Sequence, residues 1–134
     1  MRIFGWALVL GAGILIAQSQ RTVWDGVYTA AQAGRGKAFS GEECARCHSE
    51  TLGGGEAAPA LAGEAFIARW QNVGELFEKI RTTMPTDSPG RLGRQEYADI
   101  LAYILSVNKF PAGTQELAKD AAELNAIRIE PKKH

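Results

Sequence analysis

The sequence has no excess of either charge. Its 134 residues carry 15 Lys and Arg against 15 Asp and Glu, so the formal net charge is zero. A nucleic-acid binder needs a basic face to displace counterions, and this balance supplies none. Cysteine is scarce: two residues are too few for a disulfide framework, so only their spacing is informative. No segment shows the sustained apolar–polar alternation of a half-buried strand, and no internal repeat is visible. No uncharged apolar run reaches the roughly 20 residues of a spanning helix. What remains is 46% hydrophobic and 22% charged, the balance of one globular domain.

The longest apolar run stands at the start. After Met1-Arg2, residues 3–17 carry no charge, and Ala17 and Ser19 are small. A basic start, a short apolar stretch and small residues form the pattern of a secretory signal, cut after Ala17 or Ser19. The competing reading is an uncleaved anchor, which would tie the chain to a membrane. Either way Arg2 stays on the cytoplasmic side and the rest crosses, so the expected location is the periplasm.

Beyond residue 19 the chain divides into an arm and helix start (20–33), a main domain (34–108) and an extension (109–134). In the arm, Trp24 and Tyr28 flank the turn pair Asp25-Gly26 and should anchor it on the domain. Thr29 to Gln32 is a capping box, which predicts a helix from Ala30 to about Phe39. Gly34 and Gly36 weaken that helix by ~1 kcal/mol each, a cost that close packing would offset. Residues 49–65, centred on Gly53-Gly54-Gly55, read as a folded loop. Two short helices follow, Ala65 to Trp70 and Val73 to Thr83, the second with Leu76, Phe77 and Ile80 on one face. Pro85 and the turn Asp87-Ser88-Pro89-Gly90 end that section.

The clearest helix is Arg94 to Val107, where Tyr97, Ile100, Leu101, Ile104 and Leu105 form a buried stripe. Gly93 with Glu96 marks its start, and Asn108 with Pro111 its end. Thr114 to Arg128 reads as a further helix on the outside, carrying Leu117, Ala121, Leu124 and Ile127. The tail from Glu130 to His134 reads as mobile. The fold class expected is all-α.

Cys44-Ala45-Arg46-Cys47-His48 is C-x-x-C-H, the attachment signature of c-type haem. Two thiols three positions apart can each add to a vinyl group on one edge of a porphyrin. The next residue then lies beneath the ring, where an imidazole nitrogen can bind iron. Three other readings compete. A disulfide oxidoreductase would place C-x-x-C beside a βαβ pattern, which is missing. A zinc site needs four ligands, and without carboxylates only His134 is left to complete it. A structural disulfide leaves His48 unexplained.

The sixth iron ligand follows by elimination. His134 is at the chain end and Met1 is in the leader, so Met84 is the one internal thioether. Soft sulfur suits low-valent iron, and His/Met ligation raises the potential of the couple. Met84 stands between Thr83 and Pro85, a loop setting better suited to holding one sulfur than to filling a core. A ligating histidine donates its other N–H to a fixed acceptor, and the Pro59 carbonyl is the candidate for His48. Trp70, Arg69 or Arg81 can meet a haem propionate; Trp70 can equally be a plain core aromatic with a surface-satisfied N–H.

With these motifs in this order (Cys44 to His48, Pro59 to Gly63, Met84-Pro85, Asp99 to Ile104) the chain resembles a monohaem class I cytochrome c over roughly residues 34–108. The resemblance implies a class I fold around one covalently attached haem c, with Cys44 and Cys47 linked to it. It implies His48 and Met84 as axial ligands and Pro59 as the acceptor for His48. It also implies near-perpendicular first and last helices, with Gly36 against Tyr103. Phe39 sits one residue off the usual aromatic position. The runs Phe66 to Trp70 and Gly74 to Phe77 resemble cytochrome domains associated with quinoprotein (PQQ) dehydrogenases.

Two strong axial ligands leave no open iron position, which points to an electron carrier rather than an enzyme. Redox partner proteins are implied: a dehydrogenase as donor, an oxidase or another cytochrome as acceptor. The alternative is a haem enzyme or gas sensor whose sixth ligand is displaced.

Overall fold

A computed structural model describes residues 20–132. The leader, on which the signal and anchor readings fall, and His134 lie outside the described residues. Among the described residues six helices follow in order: α1 Ala30–Glu43, α2 Ala45–His48, α3 Glu64–Ile67, α4 Val73–Thr83, α5 Arg94–Val107 and α6 Ala121–Asn125. Among the described residues no strand forms, and the bridges of Arg128 to Thr22 and to Asn72 stand alone. The fold is all-α.

Helix α1 starts where its cap predicts, with the Thr29 hydroxyl oxygen accepting the Gln32 N–H at 3.1 Å. The other half of the capping box is not made. Gln32 is fully buried and turns its amide to the C-terminal extension, where Nε2 donates to the Leu117 carbonyl at 3.0 Å. The Leu117 N–H returns a bond to Gln32 Oε1 at 2.6 Å. Helix α1 also continues a turn past Phe39, because no breaker follows and the ladder runs on until Cys44 N–H meets Ser40 O at 2.9 Å.

The most extensive helix contact is α1 on α5. It is set by Gly36, where an added Cβ would lie 1.7 Å from the Asp99 carbonyl oxygen. The closest approach of Gly36 is therefore to the Asp99–Ile100 backbone, one turn before the Tyr103 ring that the resemblance pairs with it. Gly34 faces open space, so packing offsets the cost of only one of the two glycines. Beside this crossing Arg35 donates to both Asp99 carboxylate oxygens, at 2.9 and 3.1 Å, and to Glu116 at 2.8 Å. The Asp99 carboxylate is almost wholly buried, and such a charge is tolerable only when paired in this way.

The α5 stripe is buried as expected, and Glu96 reaches back to accept the Gly93 N–H at 2.7 Å. Asn108 closes the helix and also holds the loop: its Nδ2 donates to Leu61 O at 3.0 Å and its Oδ1 accepts from Gly63 N–H at 2.9 Å. Helix α4 has the expected span, with Asn72 as its cap. Helix α3 is shorter than expected, ending at Ile67, so Trp70 stands beyond it.

The extension departs most from expectation. Only Ala121–Asn125 is helical, and Leu117, Leu124 and Ile127 belong to the core rather than to an outer layer. Gln32 engages both backbone groups of Leu117, the groups that a continuous helix would need for itself. The tail is held at Glu130, whose carbonyl accepts the Trp24 indole N–H at 3.0 Å. Trp24 packs edge-on to Phe110, while the Tyr28 hydroxyl donates to the Phe110 carbonyl, so both arm anchors act as expected.

Candidate functional site

The C-x-x-C-H motif lies on one helical turn. Helix α1 ends at Glu43, Cys44 caps it, and α2 begins at once, with His48 N–H bonded to Cys44 O at 2.9 Å. Residues three apart on a helix share a face. Cys44 and Cys47 accordingly line one cavity, both half-buried and both free thiols. Burial raises the Cys44 thiol pKa; a hydrogen bond with Ser40 works against this and the Glu43 charge adds to it. His48, at 7% exposure, lines the same cavity.

The loop after α2 folds back to serve His48. Gly54 N–H donates to the His48 carbonyl at 2.9 Å, and Gly54 has φ +77. A Cβ there would strike the Pro59–Ala60 backbone, with Ala60 N only 2.4 Å away. This close approach brings the Pro59 carbonyl to 2.7 Å from His48 Nδ1. A carbonyl only accepts, so Nδ1 is the donor in this bond and Nε2 is the ring nitrogen that Pro59 leaves unengaged. Pro59 thus stands where the sequence placed it.

Met84 approaches from the other side of the sequence. It caps the C-terminus of α4, half-buried, with its N–H on Ile80 O at 2.9 Å and extended backbone. It lines the cavity with Leu76 and Ile80 of α4 and with Tyr97, Ile100 and Ile104 of α5. The cavity measures about 360 Å³, within the range of sites for sizeable ligands. Two ion pairs join the attachment segment to the loop after Met84: Arg46 with Asp87 at 3.3 Å, and Glu43 with Arg91.

Trp70 also lines the cavity, and its Nε1 is buried without a hydrogen-bond partner. The alternative of a surface-satisfied indole N–H therefore fails. Arg69 lines the cavity too, whereas Arg81 is committed to Glu78, with bonds of 3.0 and 2.7 Å. Buried donors in folded proteins find partners, so an orphan N–H in a cavity wall points to an acceptor supplied by a guest. Two thiols, an imidazole with its tautomer set, a thioether and an unpaired donor fit an iron porphyrin bearing carboxylates. Among the described residues no three His, Cys, Asp or Glu side chains form a metal-holding group, as the zinc reading would require.

The family model described as cytochrome c oxidase, cbb3-type, subunit III, matches residues 31–104, more than half of the chain. The chain belongs to this cytochrome c family. A solved structure, that of the sulfane dehydrogenase SoxCD from Paracoccus pantotrophus, is similar with a TM-score of 0.58 and 18% identity. The likeness covers 90% of this chain and 68% of that one, and at such identity it shows the fold alone. No curated protein sequence matches. The cytochrome c domain is a haem-binding, electron-transfer domain with an all-α class I fold.

Sequence reasoning missed two contributors to the cytochrome's site. Gly54 was visible only as the centre of a glycine run; its contact with Pro59–Ala60 arises from loop folding. Tyr97 was read as one member of the core stripe, yet its hydroxyl donates to the Met84 carbonyl at 2.7 Å. A buried tyrosine where leucine would pack as well is the signal that a polar partner waits nearby.

Proposed function

We propose that this cytochrome carries single electrons on one haem c, covalently held by Cys44 and Cys47 and ligated by His48 and Met84. The supporting observation is the bond between His48 Nδ1 and Pro59 O at 2.7 Å, which leaves the opposite ring nitrogen as a ligand in a cavity that Met84 also lines. When bound, the haem supplies a centre that gains and loses one electron. His48 keeps its orientation through Pro59, and Met84 is joined to α4 as its C-cap. The apolar walls from α4 and α5 exclude water. Ligands held alike in both oxidation states keep rearrangement small, which suits electron transfer between proteins rather than chemistry on a bound substrate.

The family's oxidase subunit and the dehydrogenase neighbour support redox proteins as partners, with a dehydrogenase as donor and an oxidase or another cytochrome as acceptor. A quinoprotein is one such donor. Redox contacts are small, under ~1,200 Å², so affinity is weak and turnover quick. The leader pattern of residues 1–19 supports a periplasmic site of action.

The test is a visible spectrum of the holoprotein with an intact mass. One haem mass above the polypeptide, colour that survives acid-acetone, and low-spin spectra in both oxidation states are expected. Loss of colour on extraction overturns covalent attachment. Ready binding of carbon monoxide to the reduced protein at neutral pH overturns the carrier reading in favour of a displaceable sixth ligand.

A further inference from the structure

Met84 is the last residue of α4's hydrogen-bond ladder, and beyond it the chain makes a turn before α5 begins. Its N–H is held by Ile80 at 2.9 Å. Its carbonyl faces the other way and meets two donors: Gly90 N–H at 3.3 Å and the Tyr97 hydroxyl at 2.7 Å. Tyr97 comes from α5, is 1% exposed and lines the cavity itself. Its phenol oxygen also lies 3.5 Å from the Leu92 N–H, at the far end of the loop. One hydroxyl on a rigid, buried helix therefore spans both ends of the segment that carries Met84.

We propose that Tyr97 is a positioning residue for the sixth iron ligand: its hydroxyl pins the Met84 carbonyl, and so keeps the thioether directed into the cavity against competing ligands. This rests on the reading of Met84 as an axial ligand. Met84 is reached from α4 through a single backbone bond, and methionine has three freely rotating side-chain torsions. Such a ligand stays in place only if its backbone is fixed from a second element. The ion pair of Arg46 with Asp87 is a poor candidate for that task, because both side chains are largely solvent-exposed and such pairs contribute little. The Tyr97 side chain is buried and its bond to Met84 is partly shielded from solvent, so water competes with it less than with an exposed pair.

The test compares Tyr97→Phe with Tyr103→Phe in the holoprotein. The second removes a hydroxyl on the same helix that lies 3.4 Å from Glu50 O, away from Met84. Imidazole is titrated into the oxidised protein, and thermal unfolding is followed in parallel. Removing one net hydrogen bond predicts imidazole affinity raised about three- to tenfold in Tyr97→Phe, with Tyr103→Phe at the wild-type value. Wild-type imidazole affinity in Tyr97→Phe, with only a lowered melting temperature, overturns the proposal in favour of a merely structural tyrosine. In the wild-type holoprotein, a slowly exchanging Tyr97 hydroxyl proton near Met84 in NMR spectra supports the bond, and a freely exchanging one overturns it. This measurement stands even if Tyr97→Phe fails to fold. A Met84→Ala spectrum identical to wild type overturns the axial reading and the Tyr97 role together. A changed Met84→Ala spectrum with unaltered imidazole binding in Tyr97→Phe overturns the Tyr97 role alone.

Discussion

Gly36 of α1 lies against Asp99 of α5 so closely that no side chain fits between them, since a Cβ would stand 1.7 Å from the Asp99 carbonyl oxygen. Both helices frame the site: α1 runs into the attachment turn, and α5 supplies a cavity wall. Gly36→Ala must push the helices apart. We expect a loss of about 3 kcal/mol or more, at the upper end of overpacking costs, measured by thermal unfolding of the holoprotein. Gly34→Ala, two residues away with open space around it, is expected to stabilise the same helix by about 0.5–1 kcal/mol. Equal effects at the two positions would contradict the crossing described.

Met84→Ala is expected to lower the reduction potential and to open the sixth position. Imidazole affinity should rise at least ~tenfold, the change that ~1.4 kcal/mol of lost competition produces. Spectroelectrochemistry and imidazole titration give the two readings. An unchanged potential would show that Met84 is a core filler.

Trp70 offers a buried donor to the cavity. Its buried N–H has no protein partner, so Trp70→Phe would be neutral or stabilising if the donor stayed unpaired. If it bonds a haem carboxylate, the holoprotein should lose about 1.5–3 kcal/mol, the value of a hydrogen bond to a charged group. Denaturant melts of the holoprotein distinguish these, and the loss is the expected result.

Gln32→Leu should free the extension from the core. It leaves the buried N–H and carbonyl of Leu117 without partners, at about 1–3 kcal/mol each. Limited proteolysis should then cut near Leu117 well before the helical core. Cleavage at the wild-type rate would remove Gln32 from this role.

The attachment turn, the α4 and α5 spans and the Pro59 carbonyl were all legible in the sequence, because each depends on local spacing. C-x-x-C-H needs one helical turn to bring its groups onto one face, and the α5 stripe needs only its own period. The extension was misread for the opposite reason. Leu117, Leu124 and Ile127 carry a helix-like period, yet Leu117 is held by Gln32, some eighty positions earlier in the chain, while α6 with Leu124 packs on α4 and the Ile127 carbonyl accepts the Val73 N–H.

The order of residues alone determined which thiols, which imidazole and which thioether the chain has to offer a cofactor, and that its apolar faces are helical. Only the tertiary structure decided which nitrogen of His48 is free, that Gly54 brings Pro59 within reach, that the Trp70 N–H is stranded in the cavity wall, and that Tyr97 grips Met84. These are contacts between segments distant in the chain. Their geometry depends on how α1, α4 and α5 pack, and no local propensity encodes it.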